Sequence, residues 1–454
     1  MPVVLWFRRD LRLADHPALH AAVTQARAAD DEVVALFVAD PALWRHAGTP
    51  RLAYLVRSLR ALDEATGGRL VVRHGPPALV VPLLVREVGA PAVHVTAATE
   101  PYGRRRDDAV EQALGVPLVR TGSPYAVAPG RLRTRGGTPF QVFTPFRTAW
   151  LDHGWASPPG SPHAVPWASV RSDGVPDEPR TDVDLPEAGE RAALRRWGAF
   201  LRDGLDDYRW ARDRPDLDGT SAISVHLKYG ELHPRTLLAD LAARSAGAGA
   251  ESVATYRSEL AWREFHADVL WHHPGAAHRS LRAVVPDDAW ASGPQADAAF
   301  AAWAEGRTGY PFVDAGMRQL RATGWMHNRV RMVVASFLVK DLHVRWQRGA
   351  EHFMTWLVDG DVPQNQLNWQ WVAGTGRDAA PYFRVFNPVS QGERFDPDGD
   401  YVRRWVPELR GVAGPAVHRP WRLGLAAPDG YPAPLVDHDV ERRVALEDFR
   451  RRDR

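Results

Sequence analysis

Residues 3–38 read VVLWFRRDLRLADHPALHAAVTQARAADDEVVALFV, in which two apolar runs flank a helical pattern. Val3–Phe7 and Val33–Val38 are short, uncharged and rich in β-branched and aromatic residues, which predicts two buried strands. Pro17–Ala28 has the periodicity of a helix. A strand, a helix and a second strand in this order indicate a parallel sheet with a right-handed crossover.

The same alternation continues toward residue 130. The predicted strands that follow are Leu70–Val72 and Ala92–Val95, and the predicted helices are Arg51–Thr66, Leu79–Val88 and Arg104–Leu114. We therefore expect an α/β domain over residues 1–130, with a ligand site at the carboxyl ends of its strands. The GxGxxG fingerprint of dinucleotide binding is absent from the sequence.

Residues 131–190 are rich in proline, glycine, serine and charge, which favours a long connector along the surface. Within it, Phe140–Trp150 carries enough aromatic residues to dock. From residue 191 to 454 the pattern is helical and gives no strand signal. The predicted fold class is therefore α/β followed by all-α.

Three helical segments stand out in this second part. Glu251–Trp271 places apolar residues at helical spacing, and Phe312–Thr323 ends at Gly324, a residue typical of helix termini. Asn328 is then placed to cap the following helix.

The composition excludes several classes of protein. With 454 residues the chain is too long for a single core, so we expect two or three domains. It has no cysteine, which excludes disulfides, thiolate metal sites and cysteine nucleophiles. No apolar run is long enough to span a membrane, and the N-terminus resembles a strand rather than a signal peptide. We therefore expect a cytoplasmic protein.

The segment from Trp325 to Trp371 has the most unusual composition. It opens with WMHNRVR at 325–331, contains Asp359-Gly360-Asp361, and closes with NQLNWQW at 365–371. Aromatic and amide side chains suit a planar polar ring system, and arginines suit phosphates. These residues predict a pocket for a nucleotide-like or flavin-like ligand. Seven basic and two acidic residues lie between Gly316 and Glu351, although the net charge is only +2.

Two further motifs have more than one interpretation. The turn Gly219–Ser224 is small and rich in hydroxyls, so it suits either phosphate binding or an ordinary helix start. Asp359 and Asp361 could accept hydrogen bonds from ribose or ring N–H groups, or could form a common Asp-Gly turn. No further ligand with metal spacing accompanies the two aspartates, so no metal is expected.

Other candidate residues are charged or aromatic. Glu259 and Arg263 are one helical turn apart and could form a surface ion pair, but Trp262 between them favours a recess. Trp290, Trp346 and Trp369 could be core residues, or they could pass an electron stepwise from the surface to a buried acceptor.

Taken together, these segments resemble the photolyase/cryptochrome family of FAD photoenzymes. The resemblance is carried by WFRRDLR at 6–12, TGYP at 308–311, GWMHNR at 324–329, ASFLVKDL at 335–342, DGD at 359–361, WQW at 369–371 and FRVFNP at 383–388. It extends from residue 2 to about residue 410. Within the family the sequence is most similar to a class I-type cyclobutane pyrimidine dimer photolyase.

The resemblance implies a Rossmann-like antenna domain (1–130), a connector (131–190) and a helical domain (191–454) that binds FAD and the DNA lesion. The implied cofactor-binding residues are Tyr208, Thr220, Ser221, Ala222, Ile223, Ser224, Tyr256, Arg263, Asn328, Arg331, Asp359, Asp361 and Asn365. The residues implied to line the lesion cavity are Glu259, Trp262, Asn328, Arg329, Met332 and Trp371. The residues implied in catalysis are Glu259, Asn365 beside flavin N5, and the electron relay Trp369, Trp346 and Trp290.

The implied activity is light-dependent repair of cyclobutane pyrimidine dimers in DNA, by electron transfer from reduced FAD to a flipped-out dimer. Asn365 favours this branch, because plant cryptochromes have Asp and insect ones Cys at that position. Met326-His327-Asn328 also lacks the paired histidines of (6-4) photolyases. The alternatives are a cryptochrome-like photoreceptor and a flavin-binding DNA-interaction protein without repair activity.

The antenna chromophore and the partners are also predicted by resemblance. The sequence from Glu100 to Asp107 is similar to the branch that carries 8-hydroxy-5-deazaflavin, which we favour over folate. An ordinary strand-to-helix loop with an empty antenna site is the alternative. We expect a monomer that binds dimer-containing DNA, without a membrane or an obligate protein partner.

Overall fold

The computed structural model describes residues 1–244, 249–283, 285–377 and 384–451. Its strands are β1 (Val3–Phe7), β2 (Val33–Ala39), β3 (Leu70–His74), β4 (Val93–Val95) and β5 (Leu118–Arg120). All pairings are parallel, in the order β3-β2-β1-β4-β5, with Leu5 opposite Ala35 on one side and His94 on the other. The parallel sheet predicted from the apolar runs is confirmed, and β5 is an addition to it.

Helices make up most of the remaining regular structure. Up to residue 272 they are α1 (Pro17–Ala28), α2 (Pro41–Trp44), α3 (Thr49–Ala65), α4 (Pro77–Val88), α5 (Pro101–Ala113), α6 (Phe143–His153), α7 (Glu190–Asp203), α8 (Tyr208–Ala211), α9 (Ser224–Tyr229), α10 (Pro234–Ala242) and α11 (Ala250–His272). The later helices are α12 (Pro294–Glu305), α13 (Pro311–Thr323), α14 (Asn328–Lys340), α15 (Trp346–Trp356), α16 (Val362–Ala373), α17 (Pro388–Phe395), α18 (Asp400–Trp405) and α19 (His438–Arg451).

The chain forms two compact units. The first consists of Met1–Thr181, Pro186–Asp206 and Ser221–Pro274, and the second of Asp182–Leu185, Asp207–Thr220 and Gly275–Arg454. The domain boundaries expected at residues 130 and 190 stay a prediction.

The core of the first unit lies on the sheet. Val4 and Trp6 of the central strand β1 and Leu36 of β2 are buried, and they pack with Leu84 of α4 and Val110 of α5. Strands that are buried along their whole length explain why these segments are uninterrupted apolar runs rather than alternating ones.

The segment predicted to be a connector contains a helix where its aromatic residues lie. Phe143, Phe146 and Trp150 are the buried residues of α6, which packs on α11. The ring of Phe146 lies 5.2 Å from that of Phe265 on α11. The prediction that Phe140–Trp150 docks is therefore confirmed.

The core of the second unit is built around α13 and α14. The α13 helix ends at Gly324, whose left-handed φ of 63° is readily adopted by glycine. The next helix begins at Asn328, but the residue that caps it is His327, whose Nδ1 accepts from the N–H of Arg329 at 3.2 Å. The prediction that Asn328 caps this helix is therefore wrong, because the buried imidazole of His327 already fills the capping role.

Candidate functional site

Helix α11 presents several predicted site residues from the first unit. Tyr256 is buried, and its hydroxyl lies 2.7 Å from the Oγ of Ser221. Its ring packs 5.3 Å from Trp197 and 5.2 Å from Phe200, and burial raises the pKa of its phenol. Glu259 follows three residues later and is half-buried. The structure thus brings Tyr256 and Ser221 into direct contact.

Trp262 and Arg263 lie further along this helix, and other residues of the first unit contact both side chains. The indole of Trp262 stacks on Phe143 at 3.7 Å between centroids and 9° between planes. The guanidinium of Arg263 donates to the backbone carbonyls of Pro124 (3.2 Å) and Leu227 (3.3 Å), and lies 4.5 Å from the ring centre of Tyr125. Stacking therefore fixes the indole of Trp262, whereas hydrogen bonds and a cation–π contact fix the guanidinium of Arg263.

The hydroxyl-rich turn leads directly into helix α9. Ser221 and Ile223 are buried, and Ala222 has a positive φ of 48°, which turns the chain sharply. The residue at the N-terminal cap position of α9 is Ile223, so the hydroxyl side chains of this turn do not cap the helix. Ser224 is the first residue of the helix and is exposed, and Thr220 is half-buried.

In the second unit, Arg331 links two of the predicted segments. Its Nη2 donates to Oδ2 of Asp359 at 2.9 Å, and its Nε donates to the carbonyl of Met326 at 2.7 Å. Asp359 and Asp361 are both buried, and Asp361 occupies the N-terminal cap position of α16. One turn into that helix, Asn365 is buried and donates from Nδ2 to the carbonyl of Ala350 at 2.9 Å.

Other predicted cofactor residues of this unit differ in exposure. Tyr208 begins α8 and is buried, with the guanidinium of Arg212 5.7 Å from its ring centre. Asn328, the first residue of α14, is exposed.

The three tryptophans of the predicted relay differ in burial. Trp369 and Trp346 are buried, whereas Trp290 is only partly buried. The indole of Trp346 donates to Oγ of Ser280 at 3.0 Å, and the guanidinium of Arg345 lies 5.7 Å from the ring of Trp290. The relay stays a prediction, and the placement of Trp290 suits its outer end.

A pocket of about 500 Å³ lies within the second unit, and we call it the arginine pocket. It is lined by Arg329, Arg384, Val385, Phe386, Asn387, Ser390, Gln391, Arg394, Phe395, Arg442 and Leu446. Of the predicted lesion-cavity residues, Arg329 lines it, and Arg329 Nη1 lies 3.9 Å from the sulfur of half-buried Met332. Trp371 is half-buried on α16, and Phe383 of the quoted FRVFNP motif lies outside the described residues.

Sequence reasoning missed Glu264, a buried carboxyl on α11. It accepts from the backbone N–H groups of Ala126 (2.5 Å) and Val127 (2.9 Å) and from the indole of Trp150 (2.6 Å). Burial nevertheless raises its pKa to about 7. Glu264, Asp268 and His272 are spaced by four residues, which is a sequence signal for one helical face.

Lys340, at the end of α14, was also missed. Its ammonium donates to the backbone carbonyl of Arg384, next to the arginine pocket. Burial lowers its pKa to about 7.

The residues present fit FAD in their chemistry. Buried Asp359 and Asp361 offer acceptors for hydroxyl and ring N–H groups, and buried Asn365 offers an amide. The turn at Thr220–Ser224 offers backbone N–H groups and hydroxyls that suit a pyrophosphate.

The described residues contain neither a candidate metal site nor a candidate membrane-spanning helix. No group of three or more His, Cys, Asp or Glu residues lies close enough there to hold a metal ion. Within the same residues, no helix is both long and apolar enough to cross a bilayer.

Comparison with known proteins defines the class. Residues 3–165 match the family model for DNA photolyase, and residues 256–451 match the model for the FAD binding domain of DNA photolyase. The α/β sheet and the helical part thus correspond to the two parts of an FAD-binding photoenzyme.

Relatives cover nearly the whole chain. A deoxyribodipyrimidine photo-lyase of Streptomyces griseus is 44% identical, with 96% of each chain covered. The crystal structure of a bacterial class III photolyase from Agrobacterium tumefaciens has a TM-score of 0.89 at 36% identity and covers 99% of this chain and 97% of its own. A cryptochrome of Synechocystis sp. PCC6803 has a TM-score of 0.90 at 28% identity, covering 98% and 99%. The chain therefore belongs to the DNA photolyase family.

The family assignment confirms the predicted resemblance, the α/β plus all-α fold and the FAD-binding domain. The names of the curated relatives favour the repair enzyme over the photoreceptor alternative. Roles of individual site residues and the antenna chromophore stay predictions.

Proposed function

We propose that this protein is an FAD-dependent deoxyribodipyrimidine photo-lyase, which uses light to split cyclobutane pyrimidine dimers in DNA. The observation that carries the proposal is the match to photo-lyases over nearly the full length, including the segments that hold the candidate site residues. When bound in its reduced form, FAD supplies the electron that light makes available for splitting the dimer.

We assign cofactor binding to residues whose side chains are oriented by contacts with other residues of the protein. Arg331 and Asp359 are bonded to each other at 2.9 Å, so the carboxylate has a fixed orientation toward a ribityl or ring-edge donor. Ser221 and Tyr256 fix each other at 2.7 Å, which orients the turn for a pyrophosphate. Arg263 is held by the carbonyls of Pro124 and Leu227 in the same way. Asn365 is assigned the position beside flavin N5.

We assign recognition of the dimer to Glu259, Trp262, Asn328, Arg329, Met332 and Trp371. Since Phe143 covers one face of the Trp262 indole, the opposite face is the one assigned to the base, in a stack of ~1–3 kcal/mol. Flipping a dimer out of the duplex costs a few kcal/mol, least at a damaged pair. Glu259 is assigned the hydrogen bond to the carbonyl edge of the dimer, and Arg329 the contact with a phosphate.

For the antenna we propose 8-hydroxy-5-deazaflavin, bound at the carboxyl ends of the strands. Side chains that follow three of the strands interact there. The hydroxyl of Tyr102 donates to Asp40, which follows β2, and Arg8, which follows β1, donates to Asp107 at 2.5 Å. Arg9 pairs with Glu100, after β4. Absorption and mass of the chromophore released on denaturation test the assignment, and a folate or no second chromophore would contradict it.

The lesion preference can be tested with three duplex oligonucleotides that carry a cyclobutane dimer, a (6-4) photoproduct or no lesion. We expect the purified, reduced protein to bind the dimer duplex most tightly and to repair only that lesion under near-UV or blue light. Repair of the (6-4) product, or flavin photoreduction without repair of either lesion, would contradict the proposal. The last result would instead favour a photoreceptor.

A monomeric state in the cytoplasm stays a prediction.

A further inference from the structure

The arginine pocket contains a cation from the C-terminal helix that no motif in the sequence predicted. Arg329, Arg384 and Arg394 belong to segments at or next to the quoted motifs, whereas Arg442 belongs to the C-terminal helix α19. Leu446 of the same helix also lines the pocket, one turn further along. One face of α19 therefore forms a wall of this pocket.

Two side-chain hydrogen bonds hold α19 in the register that produces this wall. Nδ1 of buried His438 lies 2.5 Å from Oδ1 of Asp341, just after α14. Oε2 of Glu441 lies 2.8 Å from Nε2 of His343. Because Glu441 immediately precedes Arg442, these contacts fix which side of the helix Arg442 occupies.

The positive charge on the pocket-facing side of α19 is not shared by the whole helix. Between His438 and Arg451, four acidic residues (Asp439, Glu441, Glu447 and Asp448) balance four arginines (Arg442, Arg443, Arg450 and Arg451). The residues described as lining the pocket nevertheless include four arginines and no carboxylate. Arg329 is paired with Asp213 at 2.9 Å, and basic side chains still outnumber acidic ones in the lining.

The pocket has the composition of a site for a phosphodiester. Arginine binds phosphate oxygens in a bidentate manner, and Asn387, Ser390 and Gln391 add further polar groups to the lining. Phe386 and Phe395 add an apolar surface beside them. A volume of about 500 Å³ is within the range of sites that accommodate a small ligand or part of a larger one.

We propose that Arg442 contacts a backbone phosphate of bound DNA, so that the C-terminal helix is part of the DNA interface. This inference rests on the proposed function, because it takes DNA as the ligand of the pocket. The contact positions the DNA strand and carries no base information, so it strengthens binding to damaged and undamaged duplexes alike.

The test is R442Q, compared with R443Q as a matched control. Arg443 is the next residue, is exposed, and donates to the carbonyl of Asp439 within its own helix, but it does not line the pocket. Binding of labelled dimer-containing and undamaged duplexes is measured by fluorescence anisotropy at several salt concentrations. We expect R442Q to weaken both duplexes severalfold and to lower the salt slope by about 1, since one phosphate contact is lost.

R442K keeps a positive charge and is expected to retain the salt slope of the wild type. FAD absorption and circular dichroism check that each variant is folded. An R442Q protein that binds with the affinity and salt slope of R443Q would overturn the inference, as would an R442K protein whose salt slope is lowered as much as that of R442Q. Absence of light-driven repair by the wild-type protein would refute the proposed function instead, so the two failures are distinguishable.

Discussion

The substitution E264Q gives the most quantitative prediction about the first unit. Glu264 is buried on α11 and holds the backbone of Ala126 and Val127, next to the residues that support the guanidinium of Arg263. Burial raises the pKa of Glu264 from its ordinary 4.5 to about 7. The folded protein therefore binds a proton here more tightly than the unfolded chain does.

The sign of the pH dependence follows from this difference. Since the folded-state pKa is raised, the site favours the folded state most at low pH, and that contribution is lost as the pH rises from about 4.5 to about 7. At about 1.4 kcal/mol per pKa unit, the loss amounts to roughly 3 kcal/mol. The glutamine introduced by E264Q does not titrate, so the free energy of unfolding of the wild type should fall relative to that of the variant by about this amount over that window.

Urea unfolding of the FAD-loaded proteins at a series of pH values between 4.5 and 8 measures the difference. A glutamine side chain keeps only one of the two acceptor oxygens, so E264Q is expected to be the less stable protein at low pH, by about 1–3 kcal/mol per unpaired N–H group. That deficit should shrink or reverse at high pH. A difference that stays constant across the window, or one that grows with pH, would refute the reasoning.

Three other substitutions test the second unit and the chemistry. W369F should retain FAD but photoreduce the oxidised flavin severalfold more slowly, and normal photoreduction in a flash experiment would remove Trp369 from the relay. E259A should lower the repair yield severalfold while flavin absorption is unchanged, because one hydrogen bond to the dimer is lost; unaltered repair would exclude Glu259 from the site. G349A should destabilise the protein by about 1–3 kcal/mol, because its Cβ would lie 2.2 Å from the Trp369 ring and 2.6 Å from Leu338. If the G349A protein unfolds at the same temperature as the wild type, the close packing of Gly349 against Trp369 and Leu338 is contradicted.

The sheet could be predicted because β1 and β2 are buried on both faces. β1 and β2 contain no polar residue, so their extent is visible in the sequence as uninterrupted apolar runs. β5 (Leu118–Arg120) has only three residues, of which Leu118 alone is buried, so it carries no comparable signal. The helices α4 and α5 begin two or three residues earlier than predicted, at Pro77 and Pro101, because proline is well tolerated in a first helical turn.

Residues of the candidate site could be predicted only where they belong to a motif that the family resemblance singles out. The Arg331–Asp359 pair and the Ser221–Tyr256 contact join residues that the family resemblance had already singled out. Glu264 was missed because its three partners lie more than a hundred residues away in sequence.

Arg442 was missed for a similar reason. Its place in the arginine pocket depends on the docking of α19 onto the end of α14 by His438 and Asp341. Such tertiary contacts between distant segments leave no local pattern, so only the structure reveals them.

The most direct test of the central claim is repair of a thymine-dimer oligonucleotide by the purified, reduced protein under near-UV or blue light. A dark sample of the same mixture is the control, and loss of the dimer is followed by chromatography of the strand. We predict loss of the dimer in the light and none in the dark. A folded, FAD-containing protein that leaves the dimer intact in the light would contradict the account.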